Sequence, residues 1–490
     1  MINRLRILLN KKIPTGSLFR NVITLISGTT FAQVLLVLIS PILTRLYDPE
    51  DFGLFTMFSS ILAILAVVSC FRYELAIVLP KKDKDAANIL ASTVLICFII
   101  SMFVLIIIIL LREQISILLG ASELRIWLFF LPLSLLMTGL YQAFNYWNTR
   151  KRQFNRLATQ QITQSLVTAA TQVSFGLTGK MQAGGLIGGQ VAGQVLSTGR
   201  LIWKTLGEEG KQIIEYLSFS NMKLNLIKYK NFPLYSLWSG LLNTSSVMMP
   251  PLLLGFYFTP TVVGLYSLGH RVLNLPMNLI GSAVAQAFYP HASEAYRNGE
   301  LGRVTFDVYK NLISIGLVPI LLISLIAPEL FLFVFGDNWY EAGQYVRWIG
   351  LWIFFVFISS PLSNIYLILE KQRLGLIMDF LLFFCRLIVL IIGGLSGDAL
   401  LTIALFGMIG ALLWIINCIF ILKLAGISLY IVLKQVIREF LKAIPYTLLP
   451  IISMIFFKDS FTLIFSAILS GVFFLIIKTL ALRKYSRNFQ

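Results

Sequence analysis

Five residues recur at helical spacing inside one otherwise apolar stretch: Ser267, Arg271, Asn274, Asn278 and Ser282. Steps of four, three, four and four place them on one face of an α-helix. Arginine presents up to five donors in a planar fork, and the asparagines and serines beside it can hold water. That is chemistry for gripping an oxyanion such as a phosphate. The competing reading of Arg271 is a side chain that snorkels to a membrane surface. A second polar line, Tyr235, Ser239 and Asn243, lies one segment earlier, and Asn21, Gln33 and Ser40 make the first segment unusually polar. Arg72 and Glu74 sit two apart in the second segment, where a continuous helix would point them to different faces, unpaired. Arg72 is a second cationic candidate, or another snorkelling side chain. Glu74 is the one carboxylate in the first half placed to couple to H+ or Na+. Asp379 and Arg386, seven apart, share a face and read as structural or snorkelling.

Other chemistries lack their residues. No catalytic constellation is expected. Cys70, Cys97, Cys385 and Cys418 stand alone in apolar segments and read as core residues. Two histidines, His270 and His291, are too few for a histidine-based metal site, and no metal or cofactor is expected. No glycine-rich phosphate loop appears, which argues against ATP hydrolysis by this chain.

The elements that must carry these residues are membrane spans. The chain is 57% apolar and 13% charged, with a mean hydropathy of +0.83. Backbone groups in lipid must be satisfied internally, so apolar segments of about 20 residues are helices. Fourteen are expected, near 18–43, 53–79, 86–111, 123–148, 157–178, 183–203, 230–258, 264–289, 306–335, 343–369, 374–394, 399–422, 440–457 and 461–480. The net charge of +18 follows topology. With the N-terminus inside, 31 of the 40 basic residues fall in inner loops and tails. Among them are Arg4, Arg6, Lys11 and Lys12, then Lys81, Lys82 and Lys84, then Arg150, Lys151 and Arg152, then Lys371 and Arg373. Both termini are therefore expected in the cytoplasm, and the basicity marks no nucleic-acid partner. Gly185, Gly189 and Gly193 at small-xxx-small spacing predict close helix packing. Tyr141, Tyr146 and Trp147 read as an interfacial belt.

The chain also repeats itself. YDPEDFGLF from Tyr47 and FTPTVVGLY from Phe258 align at an offset of 211, matching Pro49, Gly53, Leu54 and Phe55 to Pro260, Gly264, Leu265 and Tyr266. A weaker echo at 219 matches Asn145, Arg152 and Gln153 to Asn364, Lys371 and Gln372. Six spans per copy make the repeat parallel, with its axis along the membrane normal. The expected fold is thus an all-α polytopic membrane protein with two six-helix lobes, 1–222 and 223–425. A C-terminal helix pair, 426–490, lies outside the duplication.

The runs LTRLYDPEDFGLF (43–55), FRYELAIVLPKKDKDAANIL (71–90) and YQAFNYWNTRKRQF (141–154) resemble the Wzx-type polysaccharide and O-antigen flippases. These belong to the multidrug/oligosaccharidyl-lipid/polysaccharide (MOP) exporter superfamily. VVGLYSLGHRVLNLP (262–276) extends the likeness into the second lobe more loosely. The resemblance implies a V of two lobes whose first, second, seventh and eighth helices line the cavity. It implies translocation of an undecaprenyl-diphosphate-linked oligosaccharide from the inner to the outer leaflet of the bacterial cytoplasmic membrane, for O-antigen, capsule or exopolysaccharide. A polymerase and a chain-length regulator of the same pathway would be its partners. By position, Arg72 and Arg271 would hold the diphosphate, with Asn274, Asn278, Asn243, Gln33 and Ser267 lining the path. The rivals are a cation-coupled multidrug exporter of the same superfamily and a membrane polysaccharide polymerase or ligase. The first would want more membrane carboxylates, the second a large outer loop.

Overall fold

The computed structural model describes residues 17–456 and 459–487, with side chains for 28–456 and 459–480. The side chain of Asn21 and the basic residues Arg4, Arg6, Lys11, Lys12 and Lys458 lie outside that description. Every regular element among the described residues is a helix, and no strand occurs among them. Each of the fourteen expected segments falls on a helix: α1 Ser17–Leu38 (continued by Ser40–Leu46), α2 Pro49–Val68, α3 Asp83–Leu118, α4 Leu131–Arg150, α5 Phe154–Thr178, α6 Gln182–Glu215, α7 Leu237–Tyr257, α8 Pro260–Arg297, α9 Leu301–Phe335, α10 Tyr340–Leu362, α11 Gln372–Leu395, α12 Ala399–Leu424, α13 Leu429–Phe456 and α14 Ser460–Arg487. Among the described residues, ten helices are long and apolar enough to cross a membrane. The remaining four, α5 to α8, have the length but carry too many polar residues to reach that hydropathy.

Two compact units make up the chain, Pro14–Ser267 and Leu268 onward. In the first, α5 packs on α6 and α1, α6 on α4 and α2, α3 on α4, and α7 on α2. The glutamines of α5 and α6 are consumed in this packing. Gln160 Nε2 donates to Gln164 Oε1 (3.0 Å) and to Ser197 Oγ (3.2 Å), and Gln172 Nε2 donates to the Leu186 carbonyl (2.9 Å). The expected glycine seam is present: a Cβ on Gly189 would overlap Gln172, and one on Gly193 would overlap Thr168. At the opposite end of α4, Trp147 is buried in the core and its Nε1 donates to Glu209 Oε2 (2.9 Å), so it is no part of an interfacial belt. Arg156 lies beside it, buried and paired with both Glu208 and Glu209. A buried cation requires such partners, and a sequence-distant α6 supplies them.

In the second unit, α10 packs on α9 and α12, α11 on α12, and α13 and α14 lie together against α9. Ile326 of α9 joins Leu463 and Ala467 of α14 in one buried cluster.

The internal repeat has a structural counterpart. The starts of α2 and α8 each open on proline and each carry a side-chain cap, in complementary senses. The N-cap Asp48 N–H donates to Asp51 Oδ2 three residues on (3.2 Å), and the Val262 N–H donates back to Thr259 Oγ1 (3.5 Å). One turn on, a Cβ on Gly53 would overlap the Pro260 carbonyl, and one on Gly264 would overlap the Pro49 carbonyl. Reciprocal contact between equivalent positions is the mark of a two-fold relation. The two copies begin at the same end, as a parallel repeat requires. The weaker echo needs a correction of one residue. Arg152 and Glu370, 218 apart, are the paired left-handed residues that end α4 and the short helix after α10 (φ 55° each). Each is followed by the same closing bond, Gln153 N–H to the Asn148 carbonyl and Lys371 N–H to the Tyr366 carbonyl, both 2.8 Å. The side-chain letters suggested 219; the backbone sets the register at 218.

Candidate functional site

The site is built first around the end of α2. Twenty residues of α-helix rise about 30 Å, the thickness of the hydrocarbon core, so α2 has crossed by Val68. The chain then leaves the helix through two left-handed residues, Phe71 (φ 47°) and Arg72 (φ 64°), before a short 3₁₀ helix, Tyr73–Val78. Non-glycine residues pay for that conformation, and strain of this kind persists only where the surroundings impose it. Here the Tyr73 hydroxyl donates to the Leu226 carbonyl at 3.1 Å, and the 3₁₀ helix packs on α3 and α4.

The break overturns one expectation. A continuous helix would have kept Arg72 and Glu74 on different faces; instead Arg72 Nη1 lies 3.8 Å from Glu74 Oε1. The Glu74 side chain is 2% exposed and that of Arg72 25%. The Arg72 guanidinium also lies against Gly240 of α7, where a Cβ would collide with it. Gly240 is three residues from Asn243 on the polar line of that helix, so Arg72 and Asn243 are brought to one side of α7. Tyr235, Ser239 and Asn243 are all exposed, as is Gln33 on α1. A polar side chain on a spanning helix that is not covered by protein faces water rather than lipid.

In the second unit, Arg271 is half-buried on α8 and Asn278 and Ser282 are exposed. Asn274 is already engaged, with its Nδ2 2.6 Å from His270 Nε2. Ser267, at the end of the first unit, turns inward to its own helix, its hydroxyl donating to the Gly264 carbonyl (2.9 Å). The stripe therefore divides. Ser267 and Asn274 are internally occupied, Ser282 is exposed although its hydroxyl donates to the Leu279 carbonyl (3.3 Å), and Asn278 is exposed.

Sequence reasoning passed over the surroundings of His270. Its ring stacks on Trp352 (centroids 5.7 Å apart, 25° between planes), and the Arg386 guanidinium sits over the same indole at 4.9 Å and over Phe406 at 5.9 Å. Arg386 is buried and Asp379 exposed, and the Arg386 guanidinium lies over aromatic rings. Nothing in the spacing of these four residues announces the cluster, which spans α8, α10, α11 and α12. Gly240 was missed for the same reason, since its neighbour Arg72 is remote in sequence. The cysteines behave as expected: all four are free, and Cys70, Cys97 and Cys418 are buried. No cluster of metal-ligating residues occurs among the described residues.

Comparison with known proteins places this architecture. A profile of the polysaccharide biosynthesis protein family matches residues 42–344, and the chain belongs to that family. Its fold is that of the MOP superfamily. It is similar to the lipid II flippase MurJ in an inward closed conformation (TM-score 0.75, 16% identity, 94% of this chain and 99% of that one). It is similar also to an inward-facing MATE-family multidrug resistance transporter (TM-score 0.60, 13% identity, 81% and 98%). A third likeness is to a MOP superfamily transporter from Pyrococcus furiosus (TM-score 0.52, 13% identity, 83% and 96%). A comparison with curated protein sequences finds no match.

Proposed function

We propose that this protein is a flippase that moves an undecaprenyl-diphosphate-linked oligosaccharide from the inner to the outer leaflet of a bacterial cytoplasmic membrane. The product would serve O-antigen, capsule or exopolysaccharide synthesis. The observation that carries the reading is membership in a polysaccharide biosynthesis family on a fold shared with a lipid-linked-precursor flippase. Lobes 1–222 and 223–425 are the two halves of an alternating-access cycle, 426–490 stands outside it, and both termini are cytoplasmic. A diphosphate entering a low-dielectric path needs a fixed counter-charge, which arginine supplies with bidentate geometry. Arg72 takes the head group on the inner side and Arg271 on the outer side, with Asn243, Gln33 and Asn278 hydrating the wall. Glu74 is the candidate for H+ or Na+ coupling, and the polymerase and chain-length regulator of the pathway are the partners.

The multidrug-exporter reading is favoured by one observation, the likeness to a MATE transporter. An organic cation would want carboxylates where this chain offers arginines, which supports the flippase. Substitution of Arg271 separates the two. Arg271→Ala should abolish surface polysaccharide and Arg271→Lys should impair it, both at normal membrane levels. Full polysaccharide export by a well-expressed Arg271→Ala protein would return Arg271 to a snorkelling role.

A further inference from the structure

The ion pair at the break in α2 is incomplete on both sides. Glu74 is all but fully buried, yet its Oε2 has no partner, and the buried Nε of Arg72 has none either. The one contact they share, at 3.8 Å, is long for a charge-assisted hydrogen bond. A structural ion pair would normally satisfy its remaining polar atoms, because leaving them bare in a dry site is unfavourable. The backbone is strained to bring the two side chains together, through left-handed residues at Phe71 and Arg72. The guanidinium is meanwhile held against the bare backbone of Gly240, with a quarter of the side chain still reachable. Exposed Ser239 and Asn243 stand on the same stretch of α7.

We propose that Glu74 is an internal competitor for Arg72: a carboxylate that occupies the guanidinium while the site is empty and gives way to a phosphate-type oxyanion. The competition serves a transporter because a cargo held too firmly is not released. A carboxylate facing the bound anion weakens the complex by like-charge repulsion, and discriminates against anions too weak to displace it. Glu74 is thereby a specificity-determining residue, and Gly240 is the position that lets the guanidinium reach both partners. That the anion belongs to a lipid-linked sugar rests on the flippase reading; that an anion binds here does not.

The test uses the full-length protein in detergent, with binding measured by titration calorimetry for two probes, farnesyl diphosphate and inorganic pyrophosphate. Glu74→Gln should tighten binding about fivefold, the equivalent of losing one weak competing ion pair. Arg72→Ala should weaken it about tenfold or more, and Arg72→Lys should fall between because it keeps the charge without the fork. Equal affinity for both probes would identify a free-phosphate site, and a marked preference for farnesyl diphosphate a lipid head-group site. Unchanged or weaker binding by Glu74→Gln, at an unchanged melting temperature, would reduce Glu74 to a structural partner and overturn the proposal. So would the absence of measurable binding by the wild type, or unaltered binding by both Arg72 variants. If binding responds as expected while polysaccharide export ignores Arg72→Ala, the flippase reading fails and the anion site stands.

Discussion

Arg72 and Arg156 are both cations against acidic side chains, and their surroundings give them opposite characters. Arg156 is 5% exposed and fully engaged, with Glu208, Glu209 and the Asn148 side chain around it. Trp147 and Thr205 complete the network. Removing one partner from a pair buried on both sides costs about 3–5 kcal/mol. Here Glu209 is 15% exposed but Glu208 is 53% exposed and is screened by solvent, so the loss is smaller than that. Arg156→Ala should therefore lower the melting temperature of the purified protein, and adding Glu208→Gln and Glu209→Gln should recover part of that loss. Equal stability of the single and triple variants would mean that the network carries no coupling. Arg72 keeps unmatched atoms at an accessible position, so its substitution should weaken ligand binding. Because Glu74 is 2% exposed and would lose its cation, Arg72→Ala should also lower stability, and adding Glu74→Gln should recover the stability without restoring binding.

The decisive feature among the elements is the reciprocal seam between the first turns of α2 and α8. Glycine inside a helix ordinarily destabilises it by about 0.5–1 kcal/mol relative to alanine. Gly199 of α6 has open space around its Cβ position, so Gly199→Ala should be neutral or stabilising by that amount. Gly53 and Gly264 should behave oppositely, because a Cβ at either meets a backbone carbonyl that cannot rotate away. Gly53→Val and Gly264→Val should each force the helix starts apart, with overpacking strain of about 1–3 kcal/mol and a loss of polysaccharide export. Thermal unfolding and a surface-polysaccharide assay read both effects. A Gly53→Ala variant as stable as Gly199→Ala would show that the seam is looser than its geometry. The four helices too polar to pass as spans divide in the same way. α5 and α6 consume their glutamines in packing, whereas α7 leaves its polar line uncovered, so substituting Asn243 should alter transport with little effect on folding.

For the whole molecule, sidedness is the property most open to test. Asp48 precedes α2 and Thr261 is the second residue of α8, so both lie at the packed helix starts and share one end. Basic residues group at Lys81, Lys82 and Lys84, at Arg150, Lys151 and Arg152, and at Lys371 and Arg373, so the positive-inside rule predicts that these positions are cytoplasmic. Single cysteines at Asp48 and Thr261, in a chain relieved of Cys70, Cys97, Cys385 and Cys418, should react with an impermeant thiol reagent applied outside. Cysteines at Lys82, Lys151 and Lys371 should not. Outside labelling at Lys151 or Lys371 would break the fourteen-helix topology.

The sequence by itself determined the all-helical membrane class and set each expected segment on a helix, because span length, charge placement and capping residues act locally along the chain. It exposed the stripe on α8 and the line on α7 for the same reason, since helical periodicity is legible one residue at a time. It misjudged Arg72 and Glu74 because periodicity assumes an unbroken helix, and the left-handed turn at Phe71 and Arg72 is imposed by packing from α3, α4 and the segment around Leu226. It placed Trp147 at an interface because an aromatic near the end of a span fits that role, whereas Glu209 from α6 draws its indole inward. Only the tertiary structure decided which polar residues were already occupied, the glutamines of α5 and α6 and Asn274 beside His270, and which stood open. Hydrogen-bond satisfaction depends on which element packs alongside. α6 supplies Ser197 to Gln160 and the Leu186 carbonyl to Gln172, and Ser59 of α2 reaches Gln190; helical periodicity does not record which neighbour arrives.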